Sequence, residues 1–237
     1  MITRAFILPT FNESETIGPL LEKLIPDLRQ GEVIVVVDDS SEEERVKLRS
    51  VLQNYKAVKL LQGNMKGGRG YAVWRGMRYI LEEFPETTHF VEADCDGSHR
   101  FEDIQKVSNI EEHHRFVIGS RYLPGSRIFG WSLSRRILSR TLNFLIPQIL
   151  KIRVRDVTNG LRRYNRSSAK ILAEKEPTTR GFIYLSEQAK VLKSRGITPF
   201  EIPIIFASRI AGQSSVTLKD LLVSLKGLLQ ISLLRRL

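Results

Sequence analysis

Short apolar runs alternate with amphipathic stretches through the first half of the chain. Thr3–Leu8, Val33–Val37, Ala57–Leu61, Thr88–Val91 and Phe116–Ile118 are mostly rich in β-branched or aromatic residues, which predicts strands. Between them, Glu15–Leu28, Glu42–Gln53, Gly70–Glu83 and Phe101–Glu112 repeat apolar residues at helical spacing, with Ser14 and Ser40 or Ser41 placed to cap. Strands alternating with helices predict βαβ units: an α/β, doubly wound, mostly parallel sheet with helices on both faces. Ligands of such sheets bind beyond the carboxyl ends of the strands.

The second half is less regular. Leu133–Leu150 predicts an apolar helix interrupted at Pro147, with Arg136 and Arg140 one turn apart. Gly160–Tyr164 and Phe200–Phe206 predict strands flanking a helix from Tyr184 to Ser194. In the tail, Thr217–Leu237, the residues Leu218, Leu221, Leu222, Leu225, Leu228, Leu229 and Leu233 share one stripe ahead of Arg235 and Arg236. No repeat, linker or low-complexity segment divides the chain, so 1–237 reads as one domain.

The predicted strand ends are loaded with polar groups. The run ending at Leu8 leads into Pro9-Thr10-Phe11-Asn12-Glu13, and the run ending at Val37 into Asp38-Asp39-Ser40-Ser41. The run near Val91 delivers Glu92, Asp94, Asp96, Ser98 and His99, and the next delivers Ser120-Arg121-Tyr122. Asp94 and Asp96, two apart after a strand, repel each other unless a cation sits between them. A hard divalent ion, Mg²⁺ or Mn²⁺, takes one or two carboxylates plus phosphate oxygens, so the pattern predicts a metal-bound diphosphate. A solvated turn is the plainer reading of Asp-x-Asp alone, but four loaded strand ends on one edge outweigh it. Asp38-Asp39 suits hydrogen bonds from a ribose or base edge. Gly67-Gly68-Arg69-Gly70 precedes a helix and offers backbone N–H groups to phosphate. It is neither a P-loop nor a dinucleotide fingerprint, because Val73 stands where the third glycine belongs. With no Gly-x-Ser-x-Gly, no Cys/His nucleophile pair and histidines that, read singly, form no ligand pair, hydrolase and zinc readings fall.

Charge divides the chain. Residues 1–120 hold 15 basic and 20 acidic residues, and 121–237 hold 22 and 6. A basic half of this kind meets a polyanion, such as nucleic acid, anionic lipid headgroups or phosphorylated small molecules, or is simply a solvated surface. Nucleic acid is not expected, since the basic half lacks an aromatic stacking motif or a recognition helix. Apolar content of 42% and charged content of 27% exclude wholesale disorder. The single cysteine, Cys95, excludes an intrachain disulfide and multi-cysteine metal sites. No run approaches the roughly 18 apolar residues of a membrane span, and the N-terminus lacks a signal-peptide pattern. The expected compartment is reducing and cytoplasmic, where the N-x-S sequons at Asn12 and Asn165 are chance.

PTFNE at Pro9–Glu13, VVDDSS at Val36–Ser41, VEADCDGSH at Val91–His99, IGSRY at Ile118–Tyr122, DVTNGLRRY at Asp156–Tyr164 and the spaced Arg209, Gly212 and Ser214 follow a telling order. The set closely resembles the inverting family 2 glycosyltransferases, and within them the polyprenol (dolichol) phosphate mannosyltransferases. The opening motif and Asp-x-Asp belong to the whole superfamily; the GSRY, DVTNG and Arg-x-x-Gly-x-Ser segments are narrower.

The resemblance implies a GT-A fold, with 1–120 as the nucleotide and metal half and 121–237 as the acceptor half ending in an amphipathic helix. Pro9, Phe11, Glu13, Val37 and Asp39 would line the nucleotide. Asp94, Cys95, Asp96 and Ser98 would meet metal and diphosphate, with Asp94, Asp96 and Ser98 as the metal set. Arg121 and Arg209 would hold phosphates, with Ser215 also at the donor. Phe11 stands where the family often has Tyr, and Ser215 where the mannosyltransferases usually have Lys. The implied activity is metal-dependent, inverting transfer of mannose from GDP-mannose to a polyprenyl phosphate. Asp96, Arg121 and Asp156 would be catalytic, Asp156 as base or orienting group, and Arg121, Arg135 and Arg136 would receive the acceptor phosphate. The two apolar, basic helices would rest on the cytoplasmic face of a membrane, directly or through a membrane-anchored partner subunit. Alternatives are a UDP-sugar (glucosyl-type) transferase to this or another acceptor, a nucleotidyltransferase, and a non-catalytic module binding anionic lipid or nucleic acid.

Overall fold

The computed structural model describes residues 3–63, 67–179, 181–208 and 226–232. Four strands open the chain: β1 (Arg4–Thr10), β2 (Val33–Asp38), β3 (Val58–Gln62) and β4 (His89–Glu92). They alternate with α1 (Ser14–Leu24), α2 (Glu42–Leu52) and α3 (Arg69–Glu83). After α4 (Phe101–Ser108) come β5 (Phe116–Ser120), β6 (Arg127–Ile128), α5 (Leu133–Leu150), β7 (Arg162–Asn165), α6 (Arg166–Ala173), α7 (Tyr184–Ser194), β8 (Phe200–Pro203) and β9 (Ile205–Phe206).

Seven strands form one sheet in the order β3-β2-β1-β4-β7-β5-β8, and β6 pairs with β9 in a small second one. β7 runs against both neighbours, β4 and β5, and every other pairing is parallel. The strands are apolar on both faces because both are covered. Ala5 and Ile7 of β1 join Val33, Val35 and Val37 of β2 in a core under α3, α6 and α7. Phe6, Leu8, Ile34 and Val36, the alternating set, pack on the other face against α1, α2 and α4.

Several local expectations are corrected. Glu13, not Ser14, caps α1, and the Ser14 hydroxyl donates to Glu44 instead. Ser41 caps α2 without a side-chain bond, while Ser40 turns to Asp38. Asn165, read as a chance sequon, is the N-cap of α6, an unpredicted helix; its Oδ1 accepts Ser168 N–H at 2.9 Å. α5 runs through Pro147 to Leu150, and the predicted strand Phe200–Phe206 divides at Ile204. Of the tail, 226–232 is helical, with Leu228 and Ile231 buried and Leu229 exposed; the rest lies outside the described residues.

Candidate active site

The carboxyl ends of β1, β2, β4 and β5 meet the loop before β7 at one edge of the sheet. At β1 and β2, Thr10 Oγ1 donates to Asp38 Oδ1 at 3.0 Å, as does Ser40 N–H at 3.2 Å. Asn12 sits at φ 58°, a left-handed conformation Asn tolerates, and its N–H donates to Ser40 Oγ at 2.8 Å. Asp39 is buried and accepts Arg75 Nη1 at 2.9 Å and Gly67 N–H at 3.3 Å. Burial pushes its carboxyl up despite Arg75. Phe11 keeps 41% of its surface exposed, as a stacking face requires. Pro9 and Val37 are buried, so only their backbones can serve a ligand.

The Asp-x-Asp segment folds into a tight turn. Gly97 sits at φ 76°, which lets Ser98 N–H reach back to Asp96 Oδ1 at 2.9 Å. His99 Nδ1 accepts Asp94 N–H at 3.1 Å, and its Nε2 meets Asn159 Oδ1 at 2.9 Å. The network places the proton on Nε2. Burial holds His99 down to about 4, so it is a neutral strut rather than an acid. Cys95, expected at the donor, packs its side chain in the core, and burial pushes its thiol well up. Asp96 is buried, Asp94 is partly open, and Ser98 Oγ is buried without a hydrogen-bond partner among the described residues. Two carboxylates and an orphaned hydroxyl fit a hard, hydrated divalent cation.

Arg121 follows β5 and is held by the loop before β7. Asp156 takes its Nε at 2.7 Å, its Nη2 at 2.8 Å and its backbone N–H at 2.8 Å, and Thr158 Oγ1 takes Nη2 at 2.8 Å. This bidentate pair raises the pKa of the buried guanidinium against desolvation. The Trp131 and Phe206 rings lie 5.3 and 5.2 Å from it. Asn143 of α5 braces the loop: its Oδ1 accepts Val157 N–H at 2.9 Å and Thr158 N–H at 3.3 Å. Arg121 opens onto a cavity of about 830 Å³ rimmed by Arg140, Lys151, Arg153 and Arg155. None of these four pairs with a carboxylate among the described residues.

Expectation and structure differ at several residues. Arg135 lies 4.1 Å from the Trp131 ring that Arg121 also approaches, whereas Arg136 is exposed and donates to Ile128 O, away from the cavity. Arg209 and Ser215 lie outside the described residues. Arg75, Asn143 and Arg69 were not singled out as site residues; their partners are remote in sequence, so no local pattern announces them. Glu111, His113 and His114 bring ligand atoms within 4.8 Å of one another, which corrects the view that the histidines form no ligand set. That turn precedes β5, at the opposite end of the strand from Arg121.

Residues 5–172 match the model of glycosyl transferase family 2. The polyprenol monophosphomannose synthase of Mycolicibacterium smegmatis is 28% identical over 89% of this chain and 80% of its own. The undecaprenyl-phosphate mannosyltransferase of Micrococcus luteus is 28% identical over 89% of this chain and 86% of its own. Among solved structures, glucosyl-3-phosphoglycerate synthase from Mycobacterium tuberculosis, in complex with UDP, superposes with a TM-score of 0.66 at 15% identity, covering 98% of this chain and 80% of that one. Another structure of that enzyme, at TM-score 0.62 and 15% identity over 98% and 80% of the two chains, holds Mn²⁺, UDP-glucose and glycerol 3-phosphate. The architecture is thus GT-A-like, and with the family match running from β1 into α6 the chain belongs to glycosyl transferase family 2.

Proposed function

We propose that this glycosyltransferase moves mannose from GDP-mannose to a polyprenyl phosphate at a membrane surface, with a divalent cation at Asp94 and Asp96. One observation carries the acceptor: the Arg121–Asp156 pair opens onto a carboxylate-free basic cavity beside α5. Leu133, Ile137, Phe144, Leu145 and Ile149 of that helix are exposed. A phosphate on an apolar chain matches both features. The names of the two mannosyltransferase relatives support the sugar and the acceptor class.

The acceptor phosphate, with a second pKa of about 6 by analogy with phosphoamino acids, is already ionised at neutral pH. It therefore needs positioning rather than a base, and Asp156 is committed on both oxygens to Arg121. Asp156 acts as a positioning residue. Arg121 Nη1, with no protein partner among the described residues, is the donor left for the phosphate. A phosphate oxygen attacks C1, the C1–O bond to the diphosphate breaks, and the nucleoside diphosphate leaves with the electron pair, inverting C1. A bound divalent cation supplies stabilisation of charge on that leaving group. Phe11 and Asp39 would receive the nucleoside.

A second donor, UDP-glucose, is favoured by the UDP-glucose complexes of the structural neighbours. Both are tested together by offering radiolabelled GDP-mannose or UDP-glucose and polyprenyl phosphate in detergent, with Mn²⁺, Mg²⁺ or EDTA. Label entering the organic phase only with metal, and lost in Asp96→Ala, is the expected result. No label from either donor overturns the acceptor, and absence of metal-dependent nucleotide binding overturns the donor site as well.

A further inference from the structure

Arg69, the first residue of α3, reaches into the metal site from behind. Its Nε and Nη2 donate to Glu92 Oε1 at 3.2 and 2.9 Å, its Nη1 to Asp94 Oδ1, and its Nη2 to the Gly160 carbonyl at 3.3 Å. Glu92 is fully buried and also accepts the hydroxyls of Tyr164 and Tyr184. The close fit is built in: a Cβ at Gly160 would stand 2.6 Å from Arg69 Nη2 and 3.3 Å from Asp94 Oδ1. Burial works against the guanidinium charge, but Tyr184 and Glu92 hold its pKa above the ordinary value, so Arg69 is a permanent cation.

We propose that Arg69 is a built-in counter-cation of the metal site, a positioning residue that shares the Asp94 carboxylate with the incoming divalent ion. This rests on the reading of Asp94 and Asp96 as the metal carboxylates. Without an ion, Asp94 and Asp96 would repel each other and splay; a guanidinium on Asp94 removes that repulsion and leaves the turn preformed. The same charge opposes the ion. The ion is therefore held weakly by the protein alone and firmly only when the donor diphosphate adds its oxygens, which couples metal binding to donor binding.

Arg69→Gln tests this. It removes the charge, keeps a donor, and leaves Glu92 its two tyrosine hydroxyls. With nucleotide absent, Mn²⁺ titrations followed by electron paramagnetic resonance of the free ion should give an affinity about tenfold tighter than wild type, a modest share of what one charge exerts on a divalent ion a few ångströms away. Arg69→Lys should stay within about twofold. Unchanged or weaker Mn²⁺ binding by a folded Arg69→Gln chain overturns the proposal, since a purely structural arginine would only weaken the site when lost. The wild-type chain gives a second measurement, from crystals with and without Mn²⁺. Asp94 bridging Arg69 and the ion is expected, and a guanidinium withdrawn from Asp94 in the metal-bound crystal overturns the proposal. A wild type that binds no Mn²⁺ even with donor overturns the metal site too, whereas failure of sugar transfer alone touches only the acceptor.

Discussion

Arg162 and Arg163, adjacent on β7, are fully buried, and among the described residues neither has a carboxylate partner. Backbone carbonyls hold them instead. Arg162 donates to Asn159, Val157 and Leu185 oxygens at 2.8, 2.6 and 2.7 Å, pinning the loop that carries Asp156 from below. Arg163 ties the turn before β5 through the carbonyls of Ile110, Glu111 and His114. Burial lowers its pKa to about 10, still protonated at neutral pH. Its charge reaches His89 on β4, whose pKa is lowered to about 4 by burial first and Arg163 second. The unfolded chain protonates this histidine near 6.5 and the folded chain only near 4, so its contribution is intact above about 6.5 and is lost as pH falls towards 4. At about 1.4 kcal/mol per pKa unit, roughly 2 kcal/mol goes by pH 5. Denaturant midpoints of wild type and His89→Leu at pH 7 and pH 5 check this. The variant should lose less stability on acidification, and parallel losses would refute the assignment.

α5 carries apolar residues on its exposed side as well as its buried one. Its buried residues are Asn143, Ile146, Pro147 and Leu150, while five large apolar side chains face outward. Asn143 is the joint between this helix and the loop of Asp156, donating to Ser139 O at 3.0 Å and Thr158 Oγ1 at 2.8 Å besides accepting two backbone N–H groups. Asn143→Ala leaves those N–H groups buried without partners, at about 1–3 kcal/mol each. Thermal unfolding should report a loss of about 2–4 kcal/mol. Sugar transfer should fall more than nucleotide binding, because Thr158 orients Arg121 and not the donor; equal losses would remove Asn143 from the acceptor side. At this scale the sequence was legible where periodicity was clean: β1 to β5 and α1 to α4 were placed within a few residues. It was less so where one local signal competed with another. Pro147 read as a break, yet it forfeits a single hydrogen bond and its carbonyl still accepts Ile152 N–H at 2.9 Å. β7 was legible as a strand, but its reversed place between β4 and β5 is decided by pairing partners far along the chain. The same limit hid Arg69, whose Gly-rich setting suggested a phosphate cradle while its partners Glu92, Asp94 and Gly160 follow much later.

At the scale of the whole molecule, basic charge and apolar exposure meet at the cavity beside α5. The acidic residues concentrate in the half that builds β1 to β4 and the Asp-x-Asp turn, and the basic excess lies from Arg121 onward. Arg140, Lys151, Arg153 and Arg155 rim the cavity that α5 borders with Phe144. Among the described residues no helix is long and apolar enough to cross a membrane. If the acceptor is the polyprenyl phosphate proposed above, these exposed apolar residues, beside cations with no carboxylate partner among the described residues, would form a face resting on an anionic surface, with the apolar side chains in the acyl boundary and the cations at headgroup phosphates. Each such cation is worth about 1 kcal/mol near the surface, so four together change a partition constant by about a thousandfold at low salt. The acidic half would be held away by the same field, leaving the donor crevice open to the aqueous side. Sedimentation with vesicles should therefore show binding to anionic but not zwitterionic lipid, weakening steeply as salt rises. Ile137→Glu with Phe144→Glu should abolish binding without lowering the melting temperature, because those side chains are 57% and 66% exposed. If the double variant still sediments, or if wild type binds zwitterionic vesicles equally well, α5 is not the membrane face and the acceptor's chain must enter elsewhere.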